Sequence, residues 1–138
     1  MPLSEIVKIK TPVNLPKNGC KFGPTAKDNK NLFGTNLCHS KSDLPIIYNG
    51  HQGNVIARVR THFILKNDKT GAMGINSYPL SSKRWTAHIF HREMIEKISG
   101  ISEAQKNFIR NLADKRTGRI AVEAQWRTIY GWPILCKS

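Results

Sequence analysis

The stretch YNGHQGNVIARVRTHF, residues 48 to 63, decides how this chain is expected to fold. Tyr48 ends an apolar run, and the glycines at 50 and 53 then break the chain. Asn54 follows as a good N-cap, so we predict a helix from Asn54 to about Lys66. The stretch therefore predicts an extended segment, a turn and a helix in that order.

Two side chains on the predicted helix are suited to phosphate chemistry. Arg58 and His62 are four residues apart and share one helix face, whereas Arg60 projects from another. Arg58 is a permanent, forked cation close to a helix N-terminus, where backbone dipoles also favour an anion. His62 titrates near neutral pH, and Tyr48 brings a phenol alongside. The spacing predicts a site that acts on phosphate, although a solvated helix face would explain either residue alone.

Working outward, three short segments have the composition of β-strands: LFGTNLC (32–38), LPIIYN (44–49) and RWTAHIF (84–90). We therefore predict an α/β (α+β) domain with a small, mainly antiparallel three-stranded sheet flanked by helices. Residues 1–31, rich in Pro, Lys, Asn and Gly, are predicted to form an extended N-terminal arm, and residues 32–138 the domain.

The second half of the chain predicts further helices. A short one covers HREMIEKIS (91–99), and Ser102 caps another that runs to about Lys115. A last helix covers roughly 120–130, with Gly131 as the residue just beyond its end. Glu123 and Arg127 lie four residues apart on it, so an ordinary helix ion pair explains both.

Charge is the strongest signal in the composition. The 22 Lys and Arg residues face 9 Asp and Glu, which gives a net charge of +13 and predicts an anionic partner, by default nucleic acid. Three cysteines without CxxC spacing fit buried thiols in a reducing cytoplasm better than disulfides or a zinc site. Because no secretory signal and no run of eighteen apolar residues is visible, we expect a cytoplasmic protein without a membrane partner.

At this point the residues resemble a known family. The pattern Y-x-G, a polar turn, then R-x-x-x-H looks like the second half of a GIY-YIG nuclease, with matching spacing at Tyr48, Gly50, Arg58 and His62. The family carries a glutamate on a later helix, which Glu123 supplies. The first motif diverges, because GTN (34–36) stands where the family has G-I-Y. The resemblance covers about residues 32 to 133.

The resemblance implies a divalent-metal-dependent DNA endonuclease of the restriction or repair type. Arg58 would bind the scissile phosphate, and Glu123 would hold Mg²⁺ or Mn²⁺. Duplex DNA is the implied substrate, and one site per chain would favour a homodimer for cutting both strands. The basic residues expected to follow the DNA backbone are Lys66, Lys69, Lys83 and Arg84.

The missing first tyrosine leaves the general base open. Asn36 occupies the corresponding position, and an amide is not a proton acceptor. The base must then be Tyr48, His62, His51 or His39, of which we favour His62, because Arg58 should lower its pKa and keep it neutral. Two alternatives to a DNA nuclease remain: a non-catalytic nucleic-acid-binding protein with a degraded site, and a small basic ribonuclease toxin.

Overall fold

The computed structural model describes residues 1–41, 46–64, 71–80 and 82–136. These residues form α-helices joined by irregular segments and short 3-10 helices. The α-helices are α1 (Leu3–Ile6), α2 (Phe22–Phe33), α3 (Cys38–Lys41), α4 (Val55–Phe63), α5 (Glu103–Asp114) and α6 (Arg116–Tyr130). The 3-10 helices cover Gly34–Asn36, Ile75–Ser77 and Arg92–Lys97. No helix in these ranges is long and apolar enough to cross a membrane.

The predicted α/β fold with a three-stranded sheet is wrong. The part of the chain that the structure describes is mostly helical and contains no β-strand. Ladder-like pairing is limited there to two isolated parallel bridges, Gly19 with Ala72 and Leu37 with Trp132. The described part of the chain is therefore helical, and the extended segments within it do not assemble into a sheet.

The first predicted strand, 32–38, instead holds the end of α2 and a 3-10 helix. The inward side chains of α2 are Phe22, Ala26, Asn29 and Phe33, spaced four, three and four residues apart. That spacing is the period of a helix face, and it crosses position 31, the predicted end of the N-terminal arm. A short apolar run does not by itself distinguish strand from helix, which is why the prediction failed.

The other two predicted strands are also irregular where they are described. Positions 44 and 45 lie outside the described residues, while 46–49 is extended and is tied to the C-terminal segment by Leu135 N, which donates to Ile47 O (2.8 Å). In 84–90, Trp85 is half-buried beside Phe63, but Ala87 is exposed. Trp85, Ala87 and Ile89, which would share one face of a strand, therefore do not form a buried face here.

Two helix starts are confirmed, and both depend on local capping. Asn54 Oδ1 accepts a hydrogen bond from Ala57 N (3.0 Å) and caps α4. Ser102 Oγ accepts from Gln105 N (3.2 Å), while Gln105 Oε1 accepts from Ser102 N (2.7 Å), which forms a capping box at α5. Each capping signal lies within four residues of sequence, so these two predictions do not depend on the predicted fold class.

The last helix begins earlier than predicted because α5 and α6 pack very closely at their junction. The sequence predicts this helix from about position 120, but α6 already starts at Arg116. A Cβ on Gly118 would lie 2.2 Å from Leu112 O, so only glycine allows this approach. The glycine is therefore a packing residue inside the helix rather than a break.

The core joins the N-terminal helices to the middle and the end of the chain. Ile6 and Phe22 are fully buried, and Phe22 stacks on Tyr78 with ring centroids 4.2 Å apart. Tyr78 Oη accepts from Phe22 N (3.1 Å) and donates to Cys20 O (2.5 Å). All three cysteines are buried, as the sequence predicted.

The C-terminal segment, residues 131–136, is buried almost throughout and is held by one side chain of α2. Asn29, itself 3% exposed, donates both amide hydrogens, to Ile134 O (2.8 Å) and to Cys136 O (2.7 Å). Gly131 ends α6 with a φ of 90°, and a Cβ there would lie 2.7 Å from Asn36 O. The chain can therefore turn directly from α6 into the core at this glycine.

We expect Asn29→Ala to lower the free energy of unfolding by about 2 to 3 kcal/mol, because the buried Ile134 carbonyl loses its donor and the Cys136 carbonyl keeps only Trp132 Nε1. Urea unfolding measures this change. Asn31→Ala, on the exposed side of the same helix, is the control and should change stability by less than about 0.5 kcal/mol. Equal effects of the two substitutions would contradict the role of Asn29.

Candidate functional site

Three of the predicted site residues, Tyr48, Arg58 and His62, line one cavity of about 330 Å³. Its walls come from residues 18–20, the extended segment 46–49, α4, residues 71–73, α6 and the C-terminal segment. Apart from the thiols, the polar side chains that line it are Asn18, Tyr48, Arg58, His62 and Arg127. The cavity therefore collects two guanidinium groups, a phenol and an imidazole, and its other walls include Met73 and Leu135.

Helix α4 places Arg58 and His62 on the cavity side. Asn54 caps the helix, and the spacing of four residues stacks the two side chains on one face, as predicted. His62 is 5% exposed and Arg58 is half-buried, whereas Arg60 is exposed. The structure thus separates the two arginines in the way the helical spacing predicts.

Tyr48 reaches the same wall from the extended segment 46–49. Its ring packs on His62 with centroids 4.4 Å apart, and Arg58 Nη2 is 3.5 Å from its Oη, a long hydrogen bond. The C-terminal segment fixes this position, because Cys136 Sγ accepts from Asn49 N (3.3 Å) next to Tyr48. Tyr48, Arg58 and His62 therefore form one contiguous group.

His62 is a neutral hydrogen-bond donor in this arrangement. Its Nδ1 accepts a hydrogen bond from Met73 N (3.1 Å), so in the neutral ring the proton is on Nε2. Burial, followed by the charge of Arg58, lowers the pKa of His62 to about 4. The sequence prediction that Arg58 lowers the pKa of His62 agrees with this direction. The acceptor nitrogen Nδ1, however, already accepts from Met73 N, so the geometry disfavours His62 as the general base.

The second half of the site is a polar network on α6. Arg127 Nη2 donates to Glu123 Oε1, and Arg127 Nε donates to Asn49 Oδ1 (2.9 Å). The Arg127 guanidinium also lies over the Trp132 ring, 4.3 Å from its centroid. His51 Nε2 is 3.8 Å from Glu123 Oε2. His51 and Arg127 therefore approach different oxygens of the same carboxylate.

Glu123 offers a divalent cation one carboxylate oxygen, because its Oε1 accepts a hydrogen bond from Arg127 Nη2. No cluster of three or more His, Cys, Asp or Glu side chains that could hold a metal occurs in the described ranges. Mg²⁺ is nevertheless often held by one or two carboxylates, with water and substrate phosphates as the remaining ligands. Glu123 Oε2 offers such a carboxylate oxygen, and the His51 imidazole is beside it.

Several predicted residues lie away from the cavity lining. Asn36 is exposed, and its backbone carbonyl accepts a hydrogen bond from Trp132 N (2.8 Å). His39 is half-buried in α3, where burial and then the N-terminal ammonium lower its pKa. Lys83 and Arg84 are exposed, and Lys66 and Lys69 lie outside the described residues.

Three contributors were not identified as site residues from the sequence: Arg127, Asn49 and the Met73 backbone. Arg127 could have been found from its spacing to Glu123, but that spacing also fits an ordinary helix pair. Asn49 lies inside the Y-N-G motif, where its side chain carried no separate signal. The Met73 amide that orients His62 comes from a segment eleven residues further on, and nothing in the local sequence indicates it.

Comparison of the chain with protein-family models, curated proteins and solved structures gives no match. The resemblance to GIY-YIG nucleases therefore stays a prediction, carried by the spacing of the site residues.

The buried, neutral state of His62 predicts how stability depends on pH. Its pKa in the folded protein is about 4 and therefore lies below the ordinary histidine value of about 6.5, so only the unfolded chain takes up this proton between the two values. The contribution is fully present above pH 6.5 and is lost as pH falls to 4, by about 3 kcal/mol in total.

Urea unfolding of wild type and His62→Asn across pH 7 to 4 measures this contribution, because asparagine keeps an acceptor for Met73 N but does not titrate. The difference between the two slopes isolates His62 from the other ionisable groups. We expect the wild type to lose stability more steeply. Parallel slopes would contradict the buried neutral imidazole.

Proposed function

We propose that this protein is a nuclease that hydrolyses phosphodiester bonds of nucleic acid in the cavity between α4 and α6. The observation that carries the proposal is the joint position of Arg58, His62 and Tyr48 on one cavity wall. The net charge of +13 supports a polyanionic substrate, and the resemblance of the motif spacing to GIY-YIG nucleases supports the reaction type.

In this proposal Arg58 binds the scissile phosphate. Its fork matches two phosphate oxygens, and it is held at the cavity wall rather than in bulk water. His62 Nε2–H is buried and has no hydrogen-bond partner among the described residues, and in this proposal it would donate to a further oxygen of the bound phosphate. Both groups stabilise the negative charge that grows on phosphorus as water attacks and the leaving oxygen departs.

Tyr48 and His51 remain as groups that could accept the proton of the attacking water. We assign the role to Tyr48, because it lines the cavity beside Arg58, whereas His51 lies on the Glu123 side of the network. The phenol oxygen orients the water, and removal of the proton requires the phenolate. This assignment replaces the expectation that His62 is the base.

Glu123 would hold Mg²⁺ or Mn²⁺, with His51 beside it. A divalent cation bound there supplies charge stabilisation at the leaving oxygen. The residues of the chain itself bind the phosphate, donate a hydrogen bond and orient the water. Lys83 and Arg84 are exposed, and in this proposal they follow the nucleic-acid backbone outside the cavity.

One observation favours a second function, nucleic-acid binding without cleavage. The acceptor nitrogen of His62 is occupied by Met73 N, which removes the most common kind of general base from the cavity. A protein of this second kind would bind duplex DNA or RNA with a strong dependence on salt and leave both intact.

The proposal is tested by incubating the protein with supercoiled plasmid and with a labelled RNA, each in Mg²⁺, in Mn²⁺ and in EDTA. A DNA nuclease relaxes or linearises the plasmid only with a divalent cation, and a ribonuclease cuts the RNA instead. If the protein binds the plasmid and the RNA and both stay intact, the nuclease proposal is rejected and nucleic-acid binding without cleavage is supported.

We expect Arg58→Ala to lower the single-turnover cleavage rate by about a hundredfold or more, because an electrostatic stabiliser of the transition state is lost. Arg60→Ala is the matched control, since it removes the same charge from an exposed position of the same helix. The control should retain nearly the wild-type rate. Similar cleavage rates for Arg58→Ala and Arg60→Ala would show that Arg58 does not bind the scissile phosphate.

The pH dependence of cleavage distinguishes the proton acceptors. A phenol base gives a rate that keeps rising above neutral pH, because free phenols titrate near pH 10, whereas a histidine base gives a plateau above about pH 6.5. Tyr48→Phe should abolish the rise and most of the rate. Tyr130→Phe, at an exposed tyrosine of α6, is the control. An active Tyr48→Phe variant with an unchanged profile would exclude Tyr48 as the base.

A further inference from the structure

The ion pair between Glu123 and Arg127 stands at the boundary of the cavity. Arg127 lines the cavity, whereas Glu123 is not part of its described lining. Both side chains are largely buried, with exposed fractions of 17% for Glu123 and 18% for Arg127. A guanidinium at the cavity wall is thus already neutralised by a carboxylate of its own helix.

The position of Arg127 does not depend on Glu123 alone. Arg127 Nε donates to Asn49 Oδ1 (2.9 Å), and the guanidinium lies 4.3 Å from the centroid of the Trp132 ring. Asn49 is in turn fixed by Cys136, whose Sγ donates to Asn49 O (3.2 Å). The guanidinium would therefore keep its place at the cavity if the carboxylate were drawn away from it.

Each partner of this pair has a different external ligand available. A phosphate in the cavity would take the Arg127 guanidinium, and a divalent cation would take the Glu123 carboxylate. Either ligand alone would leave the other member of the pair largely buried and without its present ion-pair partner, which is costly. The two ligands together leave both charges compensated.

We propose that Arg127 is a second phosphate-binding residue and that its pair with Glu123 makes a divalent cation and phosphate bind co-operatively. This inference rests on the proposed function, which puts the phosphate in the cavity and the cation at Glu123. Because coupling between two ligands is reciprocal, phosphate must raise the affinity for the cation by the same factor as the cation raises the affinity for phosphate.

The coupling is measured with two small probes, Mn²⁺ and sulfate, in the absence of nucleic acid. Free Mn²⁺ is followed by electron paramagnetic resonance during titration into the whole protein, in chloride and in sulfate at equal ionic strength. We expect the wild type to bind Mn²⁺ roughly tenfold more tightly in sulfate, within the usual range of coupling between two sites. Equal affinities in the two salts would overturn the proposal.

Arg127→Gln removes the internal partner of Glu123. It should bind Mn²⁺ more tightly than the wild type in chloride and show no effect of sulfate. Arg116→Gln loses the same charge from the exposed start of α6 and should keep the wild-type coupling. A sulfate effect that persists in Arg127→Gln would show that the coupling does not pass through the pair.

Glu123→Gln provides a second readout that does not need a bound cation. Without its carboxylate the Arg127 guanidinium is available to sulfate, so the melting temperature should rise more in sulfate than that of the wild type. An equal rise of the melting temperature in the wild type and in Glu123→Gln would contradict the claim that Glu123 keeps anions from Arg127.

These results are independent of the cleavage assay. Cleavage without coupling would leave the nuclease proposal intact and reject the co-operative pair. Coupling in a protein that cuts no substrate would support the pair and reject the nuclease.

Discussion

The structure depends on the hydrogen bonds from the Asn29 amide to the buried C-terminal segment. Two backbone carbonyls in the core need donors, and a single side chain of α2 supplies one to each of them. With that segment fixed, Leu135 N holds Ile47 and Cys136 Sγ holds Asn49. The extended segment that carries Tyr48 is therefore positioned by the end of the chain, and no sheet among the described residues supports it.

The same segment connects the two halves of the cavity. It follows directly on α6, so that Trp132 lies under the Arg127 guanidinium while its backbone bonds to the residues around Leu37. Helix α4 then brings Arg58 and His62 to the opposite wall. Burial keeps the imidazole neutral, so Arg58 and Arg127 are the formal cations of the cavity lining among the described residues, and Arg127 is compensated by Glu123.

Local sequence was sufficient to predict those features that are decided within about one helical turn. The caps at Asn54 and Ser102 and the common face of Arg58 and His62 are of this kind. The sheet was predicted wrongly because short apolar runs fit both strand and helix, and the period that identifies α2 starts at Phe22, before the predicted domain. The tautomer of His62 depends on the Met73 amide, a tertiary contact that no local pattern encodes.

The central claim is that the cavity between α4 and α6 receives the scissile phosphate. A crystal structure with Mn²⁺ and a short duplex that carries an uncleavable phosphorothioate linkage tests this most directly. We expect a phosphate group within hydrogen-bonding distance of Arg58 and of His62 Nε2, and anomalous density for Mn²⁺ at Glu123. A duplex bound elsewhere, with all its phosphates outside the cavity, would contradict the claim.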